Sequence, residues 1–289
     1  MKPERTTAPS NGVEKSHRSD KVGAIFFILQ MSPISLKRRF LLAPLALLSG
    51  RAAAQAKPTF LVAAAANMQT VLAVLAALFE KHSTAKVVLT LGSSASLARQ
   101  IQQGLPAELF LSADEDFALR LADAGLTLNR GVIYATGRLV LAAPKGAGVT
   151  LDAQLTGLKQ ALRHTPERVQ KFAIANPVLA PYGKAARQAL QQQGIWPLLQ
   201  PRLVVGEDIA QTTQYISSGA VCAGITALAL VLEPAVAAQL RYVPVASQLY
   251  APIDQRMVLL KTASPAAGAF YEFLQSPAAS LVLKRYGFS

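Results

Sequence analysis

From Thr59 onward the chain alternates short apolar runs with longer stretches of helical period. Runs at 59–64, 86–91 and 108–112 have the length of buried strands. Between the first two, 68–82 repeats apolar residues at Val71, Leu75, Leu78 and Phe79, one face of a helix. A short helix over 97–103 ends at Gly104 with Pro106 beyond it, and a helix over 115–124 stops at Gly125. The pattern then predicts strands at 138–143, 171–175, 202–205, 221–225, 241–245 and 257–261. Further helices are predicted at 184–193, 209–217, 266–275 and 277–285. A helix between two strands carries the chain back to the end from which it started, so such neighbours lie parallel. The predicted class is α/β.

The first 56 residues do not share this rhythm. Lys37-Arg38-Arg39 precedes an apolar run from Phe40 to Leu48, and Ala52-Ala53-Ala54-Gln55-Ala56 follows. A basic segment, a short apolar segment and a small-residue cleavage site in that order describe a signal peptide. The apolar run is too short for a membrane span, which needs ~20 residues. Residues 1–56 are therefore read as an N-terminal extension and signal peptide, with Met31 as the expected start and Lys57 beginning the mature chain. No cysteine follows the apolar run, so no lipid anchor is expected there. The mature protein is expected to be free outside the cytoplasm, in the periplasm of a double-membrane bacterium.

Composition narrows the chemistry by exclusion. Apolar residues make up 52% of the chain and charged residues 16%, which favours a packed core over disorder. The formal net charge is +13, but the first 56 residues hold nine of the 29 Lys/Arg and three of the 16 Asp/Glu. That leaves 20 against 13 on the body, about +7, a balance that favours anionic partners. Charge alone fits nucleic acid as well, yet residues 1–56 show no helix-turn-helix of the kind a ligand-sensing regulator would carry, and no nucleic-acid partner is expected. The single cysteine, Cys222, sits in an apolar run and reads as a buried small hydrophobe. His17, His82 and His164 lie in unrelated segments, and no HExxH or CxxC motif occurs. No catalytic residue, metal site or cofactor is expected. An exported hydrolase would need a nucleophile beside a base, and a serine pair without His or Lys nearby does not supply one.

The unusual feature is the residue choice at strand-to-helix turns. Ala65-Ala66-Asn67 follows the first strand, and Gly92-Ser93-Ser94-Ala95-Ser96 the second. Ala180-Pro181-Tyr182-Gly183 and Gly206-Glu207-Asp208 precede the helices that begin near 184 and at Ile209. Asn, Ser and Asp are ordinary N-cap residues, so any one turn alone reads as capping. Together they aim unpaired backbone N–H groups, and the positive ends of helix dipoles, outward from the carboxyl ends of strands. That is where an α/β fold binds an anion.

Several blocks also resemble one family. Ala63-Ala64-Ala65-Ala66-Asn67, the run from Gly92 to Ile101, the run from Gly104 to Asp114, and the terminal Lys284-Arg285-Tyr286-Gly287-Phe288 are similar to the molybdate-binding proteins of ABC importers, over residues 59–288. The resemblance implies a two-lobed type II periplasmic binding protein fold with a two-crossover hinge. It implies one lobe at 57–138 plus 247–289, the other at 139–246, and an oxyanion closed between them. It also implies contacts from Ala66 through its backbone, Asn67 through its side chain, Ser93, Ser94, Tyr182, and the backbone N–H of Ile209. Where some members carry a tyrosine, Ala227 stands here, and the Tyr182 hydroxyl is expected to replace that missing group. The implied ligand is molybdate or tungstate, with sulfate or another oxyanion as the alternative, and the implied partner is the membrane permease of an ABC importer. A monomer is expected.

Overall fold

The computed structural model describes residues 57–289, so the expected signal peptide lies outside the described residues. The chain begins with β1 (Thr59–Ala65), a 3-10 turn at Ala66–Met68, and α1 (Gln69–Glu80). Next come β2 (Lys86–Gly92), α2 (Ser94–Gln102), β3 (Leu109–Leu111), α3 (Asp116–Asp123) and β4 (Val132–Gly137). A second series follows: β5 (Leu139–Pro144), α4 (Thr156–His164), β6 (Phe172–Ala175), α5 (Pro181–Gln192), α6 (Trp196–Leu199) and β7 (Leu203–Gly206). It continues with α7 (Ile209–Ser217), β8 (Ala223–Ala227), α8 (Leu228–Val231), α9 (Pro234–Ala237) and β9 (Leu240–Pro244). β10 (Ile253–Leu259), α10 (Pro265–Leu274) and α11 (Pro277–Arg285) close the chain.

Two five-stranded sheets result, ordered β2-β1-β3-β10-β4 and β7-β6-β8-β5-β9. β1 runs parallel to β2 and β3, and β6 parallel to β7 and β8. Those strands are joined through helices, and the expectation from crossover geometry holds for them. β10 instead lies antiparallel to β3 and β4, and β5 antiparallel to β8 and β9. The sheets are therefore mixed. The reason is the route of the chain. It passes from the first sheet to the second at Arg138 and returns between Pro244 and Ile253. β5 and β10 thus enter their sheets from the opposite sheet, with no preceding crossover helix to set their direction.

Each sheet has its own apolar packing. Phe60 on β1 meets Phe79 of α1 at 6.2 Å between ring centroids and Phe270 of α10 at 5.8 Å, and those two rings lie 5.0 Å apart. Burying each such ring contributes about 1.5–3 kcal/mol. In the second sheet, Leu141, Phe172, Ile174 and Ile225 are fully buried and pack with Leu190 of α5. β4 and α4 are absent from the sequence expectations. β4 buries only Ala135 and Gly137, and α4 only Leu158 and Leu162, so neither carries a strong apolar signature. Cys222 differs from expectation too. It precedes β8 and is only half-buried, with Sγ donating to the Lys171 carbonyl at 2.8 Å.

Candidate anion site

The strand ends of β1, β2, β6 and β7 open onto one small cavity. Ala66, Asn67, Ser93, Ser94, Tyr182 and Ile209 all line it, and each is buried. Ala65, Gly92, Ala113, Ala180, Pro181 and Asp208 complete the wall. The first-sheet and second-sheet turns that sequence reasoning singled out are thus brought together.

Local sequence explains what each turn presents. Ser93 is the N-cap of α2, where its Oγ accepts from the Ser96 N–H at 3.4 Å and donates to Ser96 Oγ at 2.8 Å. Ser94 takes the first helical position, whose N–H has no partner within the helix. Its Oγ accepts the Ala113 N–H at 2.9 Å, which leaves the hydroxyl proton to donate. α5 opens with Pro181, which has no N–H, so the first amide donor of that helix is Tyr182. Ile209 opens α7, capped by Asp208, whose Oδ1 accepts the Gln211 N–H at 2.9 Å. Glu207 likewise bonds locally, its N–H donating to Gln211 Oε1 at 2.7 Å. α2, α5 and α7 therefore direct their positive ends at one spot, without Lys or Arg in the wall. Ala66 has no side-chain donor and can offer only its backbone.

Tyr182 has partners that the sequence did not announce. Its hydroxyl accepts from Gln255 Nε2 at 3.0 Å and from Asn67 Nδ2 at 3.4 Å, so it is committed to side chains of the first-sheet half. Burial pushes its pKa upward, and the hydrogen bond from Gln255 opposes this only in part. Close approach makes that placement: a Cβ on Gly137, at the end of β4, would lie 2.1 Å from Tyr182 Oη. Asn67 Nδ2 also donates to Gln255 Oε1 at 3.0 Å, and Tyr134 Oη donates to the same oxygen at 2.9 Å. Gln255 and Tyr134 were missed by sequence reasoning. Around the site, the two halves also meet where the Ala95 N–H donates to the Leu179 carbonyl at 3.1 Å. Lys184 pairs with Asp116 at 3.2 Å nearby. His82 and His164 are exposed and do not line the cavity. Among the described residues no group of three His, Cys, Asp or Glu side chains is arranged to hold a metal ion.

The family model for bacterial extracellular solute-binding proteins matches residues 60–289. The chain belongs to that family. This solute-binding protein is 34% identical to the molybdate-binding protein ModA of Rhodobacter capsulatus over 84% of its own length and 93% of that relative. The structure is similar to the periplasmic molybdate-binding protein of Azotobacter vinelandii, with a TM-score of 0.71, 31% identity, and coverage of 80% of this chain and 98% of that one. It shares its fold with the sulfate-binding protein SubI of Mycobacterium tuberculosis, at a TM-score of 0.66 and 16% identity over 80% of this chain and 86% of that one. The α/β, two-lobed periplasmic binding protein architecture is therefore established. Among the described residues no helix is long and apolar enough to cross a membrane.

Proposed function

We propose that this solute-binding protein captures molybdate or tungstate for an ABC importer and delivers it to the membrane permease. The observation that carries this is the buried cavity between the two sheets, where the starts of α2, α5 and α7 present neutral donors and the wall's carboxylate, Asp208, caps α7. A tetrahedral dianion carries only acceptor oxygens, so such donors satisfy it without a counter-charge. The similarity to two molybdate-binding proteins supports the same ligand. The donors we assign are the Asn67 amide, the Ser94 hydroxyl, and the backbone N–H groups of Ala66, Ser93, Tyr182 and Ile209.

The proposed lobes are 57–138 with 247–289, and 139–246, hinged where the chain passes between sheets. The ligand closes them together. The protein works as a monomer in the periplasm after removal of residues 1–56, binds no nucleic acid and catalyses no reaction. Calorimetry with molybdate, tungstate, sulfate and phosphate tests the assignment. One saturable site per chain is expected for molybdate and tungstate, with a more compact scattering profile once filled. Sulfate binding more tightly than molybdate would overturn the ligand, and no heat with any oxyanion would overturn the function.

A further inference from the structure

Asn67 lines the cavity at 1% exposure, and its Oδ1 is the buried side-chain atom left without a hydrogen-bond partner among the described residues. Buried polar atoms are nearly always paired, so an orphan in a binding cavity calls for a cause. The other end of this amide is fully used: Nδ2 donates to Gln255 Oε1 and to Tyr182 Oη. Tyr182 Oη receives a second donor, Gln255 Nε2. Its own proton has no acceptor among the described hydrogen bonds. This arrangement thus carries two defects. The carbonyl oxygen of a residue lining a cavity framed by donors is unpaired, and beside a dianion it would repel the ligand's oxygens, while a buried phenol proton is unplaced.

Half a turn of both amides exchanges nitrogen and oxygen at the same positions and repairs both. Tyr182 then donates to Gln255 Oε1 across 3.0 Å. Gln255 Nε2 donates to Asn67 Oδ1 across 3.0 Å and to Tyr134 Oη across 2.9 Å. Asn67 Nδ2 is left for the cavity. The proton this exchange releases belongs to Tyr134, a partly exposed residue whose phenol is desolvated, so the unplaced proton moves from the cavity wall to a residue behind it.

We propose that oxyanion binding selects this second arrangement, and that Gln255 is the positioning residue that turns the Asn67 amide nitrogen toward the anion. The proposal rests on the oxyanion-binding function above. Gln255 does not line the cavity, yet it is wholly buried and touches both Asn67 and Tyr182. It sits at an irregularity in β10, where the pairing with β4 shifts register between Gln255 and Arg256. Such a bulge re-aims the side chain beside it.

A double-mutant cycle with molybdate as the probe, read by calorimetry on the full mature chain, tests the role. Gln255→Met is expected to weaken binding by about tenfold or more, a coupling typical of residues sharing one network. In an Asn67→Ala background the same change is expected to alter affinity by less than about twofold, because no amide remains to be turned. Equal losses in both backgrounds would overturn the positioning role, since a general packing defect costs the same with or without Asn67. Tyr134→Phe removes the far acceptor of Gln255 while keeping the ring, and decides the matter should Gln255→Met not fold. Its loss, several-fold, is expected to vanish with Asn67→Ala, and persistence would overturn the role. Wild-type protein that fails to bind molybdate would overturn the functional reading itself, a result distinct from an additive cycle.

Discussion

Ser94 Oγ accepts the Ala113 N–H at 2.9 Å, which ties the first turn of α2 to the chain leaving β3. One hydroxyl thus has two tasks: holding a buried amide and presenting its proton to the cavity. Ser94→Ala is expected to lose both. A hydrogen bond to a charged ligand is worth about 1.5–3 kcal/mol. That corresponds to roughly 10- to 150-fold in the molybdate dissociation constant. The orphaned Ala113 N–H adds a stability cost of about 1–3 kcal/mol in the ligand-free protein. Calorimetry and urea unfolding separate the two. A variant that binds weakly but unfolds like wild type would show that Ala113 finds another partner.

Gly137 ends β4 where the chain leaves the first sheet, and it gives way to the Tyr182 ring. A Cβ there would lie 2.1 Å from Tyr182 Oη and 2.8 Å from Gln255 Nε2. Gly137→Ala is therefore expected to push Tyr182 off the network. Overpacking of this kind costs about 1–3 kcal/mol, felt in both the melting temperature and molybdate affinity. Tyr182 Cζ would also lie 2.8 Å away, so the ring itself is in the path, and a smaller cost of Gly137→Ala in a Tyr182→Ala background checks that the ring is the cause.

The turns that form the cavity were readable because their chemistry is local. Ser93 and Asp208 are N-cap residue types and the structure uses both as caps, while α2 and α5 begin three residues earlier than the apolar period placed them, at Ser94 and Pro181. The network behind the cavity was not readable. Asn67 and Gln255 are 188 positions apart, and their meeting depends on β10 returning antiparallel between β3 and β4. The polar run Asp254-Gln255-Arg256 also hid the first half of that strand, which hydropathy placed only from Met257 onward. A buried glutamine in a polar stretch has no signature in periodicity. The partners of the Tyr182 hydroxyl, Gln255 and Asn67, escaped notice for the same reason, since they come from distant segments.

Tyr134 and Tyr182 give stability a dependence on alkaline pH. Burial raises both phenols above the ordinary value of about 10. In the unfolded chain they ionise near that ordinary value, while in the folded protein they stay neutral. The stability tied to the neutral phenols is fully present below pH ~10 and is lost as pH rises beyond it. Urea midpoints are expected to hold up to about pH 9 and then fall. Tyr182→Phe removes one of the two groups and is expected to show a shallower fall. Identical slopes would mean that Tyr182 ionises as readily folded as unfolded.

Selectivity against phosphate follows from where protons can go. Near neutral pH phosphate retains a proton that needs an acceptor, whereas molybdate has none to place. Asp208 borders the cavity, but its Oδ1 is held by the Gln211 N–H. Of the side-chain amides in the wall, Asn67 can accept it through Oδ1, in the arrangement where the Tyr182 proton goes unpaired. Through Asn67, phosphate satisfies its own O–H by orphaning that of Tyr182, at about 1–3 kcal/mol. Sulfate is fully ionised and escapes this penalty. Its shorter bonds stretch some donors in a site sized for molybdate, and hydrogen bonds weaken as they lengthen. The expected order is molybdate and tungstate together, then sulfate, then phosphate. Tyr182→Phe has no proton to orphan, so the molybdate-to-phosphate ratio is expected to shrink by roughly 5- to 150-fold while sulfate keeps its place. Competition titrations at neutral pH measure all four anions in both proteins. An unchanged ratio in Tyr182→Phe would place the discrimination elsewhere, with the free oxygen of Asp208 the next residue to substitute.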